Sequence, residues 1–142
     1  MKPTVLFLCT GNSCRSQMAE GWLRHLAGHR FDVVSAGTDP VGVNPLAIAA
    51  MAEVGIDISS HRSKRVDEVL GRCSADQIVT VCDQAKEACP VVPGESSVLH
   101  WSFDDPAAAQ GSDSDRATVF RRVRDEIAGK ISEWLETQGG SW

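Results

Sequence analysis

Segments rich in valine, leucine, isoleucine and phenylalanine alternate along the chain with segments in which apolar residues recur about every fourth position. The first type is typical of short strands buried in a sheet, and it covers residues 3–8, 32–36, 76–81 and 97–101. The second type predicts helices over 13–27, over 44–54 and over a long final segment whose apolar face is formed by Val119, Val123, Ile127, Ile131 and Leu135. The charged residues of that final helix are expected to face water.

This alternation predicts an α/β protein: a single three-layer domain over residues 1–142, with a four-stranded parallel sheet and helices on both faces. A chain of 142 residues has the size of one ordinary domain. Ligands of parallel sheets bind at the carboxyl ends of the strands. Cys9, Cys82 and Asp105 each follow a predicted strand, so we expect them to converge at one edge.

Composition and charge narrow the classes of function. The net charge of −5 provides no general attraction for nucleic acid or for an anionic membrane, so a bound anion must be held by local groups. No apolar run has the length of a membrane span, and the segment at 2–8 is too short for the core of a signal peptide. We therefore expect a cytoplasmic protein, in which five cysteines serve as reactive or buried thiols rather than as structural disulfides.

Residues 9–15, called the anion loop below, follow the first predicted strand and run into the first turn of the predicted helix. Cys9 precedes the helix, whose first N–H groups and positive dipole end favour a thiolate and a bound oxyanion. Gly11 allows backbone amides to point inward, and Arg15 can bind two oxygens of a tetrahedral anion. Ser16 can hydrogen-bond the Cys9 sulfur, and Asn12 can brace the loop. The alternative is a buried strand-end cysteine followed by a surface arginine.

The segment VLFLCTGNSCRSQMAEG at 5–21 resembles the opening of the thioredoxin-coupled arsenate reductases, which share a fold with the low-molecular-weight protein tyrosine phosphatases. Similar stretches at 35–37, 43–45 and 100–107 extend the resemblance over nearly the whole chain. The resemblance implies a phosphatase-like fold, with Cys9 as nucleophile and Ser16 as a catalytic residue. It implies that arsenate, with phosphate or sulfate as competing oxyanions, is bound by Thr10, Gly11, Asn12, Ser13, Cys14 and Arg15.

The sequence Asp-Asp-Pro at 104–106 raises the question of an acid catalyst. The residues alone do not distinguish Asp104 from Asp105, and both are compatible with an ordinary turn before the proline. The resemblance selects Asp105 as the acid that protonates a leaving oxygen. In the phosphatases, aromatic residues beside this acid accommodate a phenyl ring, but this chain has no tyrosine and carries three alanines at 107–109. A small inorganic oxyanion is the expected substrate.

A second segment, VCDQAKEACP at 81–90, resembles the thiol relay of the reductases. The resemblance implies that Cys9 attacks arsenic, that Cys82 attacks the Cys9 adduct, and that Cys89 then attacks Cys82. It also implies that reduced thioredoxin supplies the electrons, with no bound cofactor. Taken alone, Cys82 and Cys89 are equally compatible with core packing, which is the role expected of Cys73.

The spacing of the two relay cysteines carries a physical requirement. If the intervening residues are helical, the Cα atoms of Cys82 and Cys89 lie roughly 10 Å apart along the axis. A disulfide needs Cα atoms within about 7 Å. The segment is therefore predicted to unwind when the bridge forms.

No metal site is predicted. The cysteines lack the paired short spacing of a zinc site, and the four histidines are scattered. Some proteins that the chain resembles bind potassium beside the anion loop, at positions matched here by Asn12, Glu20 and Ser35. Lys64 falls where those proteins carry an aspartate, so its ammonium is expected to brace Glu20 and to leave little stimulation by potassium.

Three hypotheses follow from the sequence. The first is a monomeric arsenate reductase that works with thioredoxin, has weak phosphatase side activity, and binds neither nucleic acid nor membrane. The second is a low-molecular-weight phosphatase, since the anion loop is common to both activities. The third is a thiol switch or arsenite-binding protein without catalytic turnover.

Overall fold

Four strands and four α-helices are present in the computed structural model, which describes residues 2–72, 75–82 and 97–138. The strands are β1 (Thr4–Cys9), β2 (Asp32–Gly37), β3 (Gln77–Thr80) and β4 (Ser97–His100). The helices are α1 (Arg15–Ala27), α2 (Pro45–Ala52), α3 (Val66–Leu70) and α4 (Asp113–Thr137), and a 3₁₀ turn spans Pro106–Ala108. The predicted strands, α1 and α2 agree with these bounds to within two residues at each end, whereas α3 and the 3₁₀ turn were not predicted.

Within the described residues, all strands run parallel in the order β2-β1-β3-β4, which confirms the predicted four-stranded parallel sheet. Strand β1 pairs with β2 as far as Cys9 opposite Gly37, and with β3 as far as Leu8 opposite Thr80. Because the three strands end nearly level, the residues that follow them meet at one edge of the sheet.

Different helices pack against the two faces of the sheet. Alternation along β1 sends Val5 and Phe7 to one face and Leu6 and Leu8 to the other. Helices α1, α2 and α4 pack together over the first face, and in the described part of the chain α3 covers the second through Val69. Burying each of these large side chains stabilises the fold by about 2 kcal/mol. The described helices include none that is both long enough and apolar enough to cross a bilayer.

Arg124 of α4 contradicts the expectation that the charged residues of this helix face water. It is 8% exposed, and its Nη1 atom donates to the Ala50 carbonyl at 2.9 Å and to Glu53 Oε1 at 3.0 Å. The Arg124 carbonyl accepts a hydrogen bond from Trp22 Nε1 at 3.1 Å. A buried guanidinium is tolerated because its donors are paired. The guanidinium joins α4 to α2, and the Arg124 carbonyl joins α4 to α1.

Candidate active site

A cavity of about 500 Å³ opens at the carboxyl end of β1. Its floor is formed by anion-loop residues at 9–11 and 13–15, and its rim by residues 41–45 together with Asp105 and Ala107. The loop leads directly into α1, and among the described residues no side chain caps this helix. The positive end of α1 is therefore directed at the cavity, an arrangement suited to a bound anion.

The sulfur of Cys9 lies in this loop among hydrogen-bonding groups. It is 2.9 Å from Ser16 Oγ, and the Asn12 backbone N–H donates to it at 3.2 Å. The Cys9 residue is only 3% exposed, so its sulfur meets solvent and substrate only from the cavity side. The Cys9 sulfur is therefore held within the loop beside the cavity.

Arg15 connects the anion loop to the segment that carries the predicted acid. Its side chain is buried, its Nη1 donates to the Phe103 carbonyl at 3.1 Å, and its Nη2 lies 3.9 Å from Asp105 Oδ2. Arg15 also lines the cavity. Arg15 is therefore placed to contact an oxyanion bound above Cys9.

The structure separates the two adjacent aspartates that the residues alone left undistinguished. Asp104 is held away from the cavity, because its Oδ2 accepts a hydrogen bond from Arg122 of α4 at 3.0 Å. Asp105 lines the cavity, and its Oδ1 accepts the Ala107 backbone N–H at 3.0 Å at the start of the 3₁₀ turn. Asp105 is thus the carboxyl group placed to exchange a proton with a ligand.

Cys14, the second cysteine of the loop, is buried and also lines the cavity. Burial raises the pKa of the Cys14 thiol to about 12, so the group remains protonated at neutral pH. A protonated thiol is a poor nucleophile. Cys14 therefore contributes to the shape of the site, while Cys9 is placed to react.

Cys82 comes two residues after Thr80, at the end of β3. The Val81 backbone N–H donates to the Leu8 carbonyl at 3.1 Å, so pairing with β1 continues to the residue before Cys82. Cys82 is buried and disulfide-bonded, with its partner outside the described residues, whereas Cys9 and Cys14 are free. Cys73, Cys89 and the predicted unwinding of residues 83–88 also lie outside the described residues.

The residues matched to a potassium site do not fit that ion. Ser35 Oγ donates to Glu20 Oε1 at 2.5 Å, and Asn12 Nδ2 donates to Ser35 Oγ at 3.0 Å. The Glu20 carboxylate also pairs with Arg24 at 2.8 Å and with the Lys64 ammonium at 3.8 Å. Two protein cations therefore already neutralise the Glu20 carboxylate, and Lys64 braces it as predicted.

Gly37, at the end of β2, supports the anion loop from behind, a role that its place in the stretch 35–37 did not indicate. A Cβ atom at this position would lie 2.4 Å from the Thr10 carbonyl oxygen and 2.9 Å from the Asn12 nitrogen. Gly37 therefore lets β2 approach the anion loop closely. Gly37 pairs with Cys9 in the β1–β2 register, and this pairing indicates that a side chain at position 37 would meet the loop.

Replacing Gly37 with alanine is expected to displace the anion loop. The added methyl group meets backbone atoms that cannot rotate away, so we expect a loss of about 1–3 kcal/mol in the free energy of unfolding and a fall of at least about tenfold in kcat. Chemical denaturation and steady-state kinetics measure the two effects. Gly129→Ala is the matched control, since a Cβ there meets nothing within 4 Å. Unchanged kinetics in Gly37→Ala would contradict the close approach.

A family model described as low molecular weight phosphotyrosine protein phosphatase matches residues 4–139. The arsenate reductase of Halalkalibacterium halodurans is 52% identical over 136 residues, covering 96% of this chain and 97% of its own. A solved arsenate reductase in the phosphate-binding state has a TM-score of 0.77 at 32% identity, covering 96% of this chain and 98% of its own. The thioredoxin-dependent arsenate reductase of Corynebacterium glutamicum has a TM-score of 0.71 at 30% identity, covering 96% of this chain and 61% of its own.

Proposed function

The chain belongs to the low molecular weight phosphotyrosine protein phosphatase family, and we propose that within it this protein is an arsenate reductase that detoxifies arsenic. The observation that carries the proposal is a cysteine outside the anion loop, Cys82, buried at the same sheet edge as Cys9. A phosphatase needs one nucleophile, whereas reducing As(V) to As(III) takes two electrons and therefore a pair of thiols. The similarity to proteins named arsenate reductase supports this choice.

Capture of arsenate is assigned to the anion loop and Arg15. The protein has a net charge of −5, so attraction must come from the end of α1 and from the guanidinium that lines the cavity. Phosphate and sulfate have the same tetrahedral shape and are expected to compete. Among the described residues that line the cavity, the rim carries an exposed Val41 and the small Ala107 and no aromatic ring. This favours a small inorganic anion over an aryl phosphate and leaves phosphatase activity as a weak side reaction.

The first chemical step is attack of the Cys9 thiolate on arsenic. A sulfur–arsenic bond forms, and one arsenic–oxygen bond breaks. The departing oxygen takes a proton from Asp105 and leaves as water. Ser16 and the Asn12 N–H hold the sulfur in place before attack, at 2.9 Å and 3.2 Å.

Reduction occurs when the Cys82 thiolate attacks the sulfur of Cys9 in this adduct. A sulfur–sulfur bond forms between Cys9 and Cys82, and the electron pair of the sulfur–arsenic bond passes to arsenic. Arsenic is thereby reduced to As(III) and leaves as arsenite, while the two thiols are oxidised to a disulfide. Thiolates attack sulfur readily, which makes this the ordinary route of thiol–disulfide exchange.

Regeneration requires a third thiol and an external reductant. The Cys89 thiolate attacks the sulfur of Cys82, which releases Cys9 as a thiolate and forms a Cys82–Cys89 bridge. Reduced thioredoxin then opens this bridge with two electrons and is itself oxidised to a disulfide. Thioredoxin, its reductase and NADPH operate in the reducing cytoplasm, which is where we place the protein.

Turnover coupled to thioredoxin is the direct test of this proposal. With thioredoxin, thioredoxin reductase and NADPH present, we expect NADPH consumption that requires both arsenate and thioredoxin and that phosphate slows by competition. Hydrolysis of an aryl phosphate without arsenate-dependent NADPH consumption would identify a phosphatase instead. A stoichiometric loss of thiols without turnover would identify a thiol switch or an arsenite-binding protein.

A further inference from the structure

Gln17, in the first turn of α1, is completely buried and does not line the cavity. We propose that Gln17 is a positioning residue: through Asn12 it directs the hydroxyl hydrogen of Ser16 onto the sulfur of Cys9. The inference rests on the proposed function only in taking Cys9 as the nucleophile. It concerns the reactivity of that thiol toward any electrophile.

The direction of the hydrogen bonds is first set outside the loop, at Arg24. A guanidinium can only donate, so His61 Nε2, 3.1 Å from Arg24 Nη1, accepts a hydrogen bond. The hydrogen of the His61 ring is then on Nδ1, which lies 3.0 Å from Gln17 Oε1. Burial lowers the pKa of His61, in agreement with a neutral ring. The Gln17 oxygen therefore accepts from His61.

The opposite end of the Gln17 amide donates to the anion loop. Its Nε2 atom lies 3.2 Å from the Asn12 carbonyl, 3.0 Å from Asn12 Oδ1 and 3.1 Å from the Arg62 carbonyl. Two of these acceptors are backbone oxygens, so the atom facing them is the nitrogen of the amide. Gln17 thus attaches both the backbone and the side chain of Asn12 to the segment that contains Arg62.

Asn12 is the next group whose orientation is determined. The Lys64 backbone N–H donates to Asn12 Oδ1 at 2.8 Å, and since a backbone N–H only donates, this atom is the oxygen. The two hydrogens on Nδ2 are then directed to Ser16 Oγ at 2.8 Å and to Ser35 Oγ at 3.0 Å. Asn12 has a φ of 47°, a left-handed conformation that needs such support.

Ser16 completes the chain of donors. A hydroxyl has one hydrogen, and because Ser16 Oγ accepts from Asn12, the Cys9 sulfur at 2.9 Å is the described acceptor for that hydrogen. Gln17, Asn12 and Ser16 are each 0% exposed, so water cannot readily replace a lost partner. Without the Gln17 donor, Asn12 keeps the hydrogen bonds from the Lys64 N–H and from Ser63 Oγ but loses the two that attach it to α1, which should weaken both hydrogen bonds to the Cys9 sulfur.

The test compares Gln17→Met and Gln17→Glu with the wild type by the rate of Cys9 alkylation with iodoacetamide between pH 5 and 9, followed by mass spectrometry of the Cys9 peptide. We expect alkylation at pH 7 to slow by about tenfold and the rate–pH profile to move upward by about one pH unit, since hydrogen bonds to a charged group are strong. Gln138→Glu, at the end of α4, is the control and should match the wild type.

Folding is monitored by circular dichroism and thermal melting. If the buried carboxyl of Gln17→Glu prevents folding, the Gln17→Met variant alone decides the test. A folded Gln17→Met protein with an unchanged rate–pH profile would overturn the inference, even if its Tm falls. Because alkylation needs no arsenate, a shifted profile in a protein that fails to consume NADPH would support this inference while refuting the reductase activity.

Discussion

Replacing Cys82 with serine is expected to abolish catalytic arsenate reduction, by at least about a thousandfold, while hydrolysis of an aryl phosphate continues near its wild-type rate. A serine hydroxyl cannot form a disulfide, so in this variant no thiol at position 82 attacks the Cys9–arsenic adduct and arsenic is not reduced. The anion loop, Arg15 and Asp105 are held by contacts of their own, with Ser16, the Phe103 carbonyl and the Ala107 N–H, and should still act on phosphate. NADPH consumption and release of the aryl alcohol measure the two activities separately.

Cys9→Ser is the matched control, because it removes the nucleophile common to both reactions and should abolish both. Comparing the two single-atom changes distinguishes the contribution of the anion loop, which both reactions need, from that of the thiol relay, which only arsenate reduction needs. Continued arsenate turnover in Cys82→Ser would show that another thiol accepts this role. Loss of both activities in Cys82→Ser would show that Cys82 supports the site structurally.

Replacing Arg15 with lysine is expected to lower kcat/KM for both arsenate and an aryl phosphate by about 100- to 1000-fold. Lysine keeps the positive charge but lacks the planar fork that binds two oxygens, and such contacts strengthen as charge develops on the transferred group. It also loses the hydrogen bond to the Phe103 carbonyl, which joins the loop to the acid segment. Steady-state kinetics with both substrates, with circular dichroism as a check on folding, measure the effect.

Arg121→Lys provides the comparison for that experiment. Arg121 lies on the exposed surface of α4 and pairs with Glu53 through two hydrogen bonds of 2.8 Å, so the same chemical change is made far from the cavity. We expect kcat/KM within about twofold of the wild type, since exposed ion pairs contribute little. Near-wild-type kinetics for Arg15→Lys would mean that charge alone, rather than geometry, captures the anion.

The contrast between Asp104 and Asp105 illustrates why part of the site was hidden in the sequence. The two residues are neighbours of identical chemistry, and they differ only in what surrounds them. Arg122, 18 residues after Asp104 in the chain, hydrogen-bonds Asp104. Arg15, 90 residues before Asp105, lies near Asp105. Local periodicity contains no information about such distant partners.

The packing of Gly37 and Arg124 also could not be predicted from local sequence. The closeness of Gly37 to Thr10 and Asn12 depends on the pairing of β1 with β2, and the burial of Arg124 depends on the acceptors that α2 presents. Neither can be inferred from the residue type, since glycine often ends a strand and arginine on a helix is usually exposed.

The sequence by itself determined the order of the strands and main helices along the chain, the location of Cys9 at the start of the loop that leads into α1, and the family. These properties depend on local patterns: short apolar segments, helical spacing, and an oxyanion-binding segment of contiguous residues. Only the tertiary structure decided which aspartate faces the cavity, which thiol of the loop is kept protonated, and which donors meet at Cys9. Those outcomes depend on burial and on hydrogen bonds between distant residues, which exist only once the chain has folded.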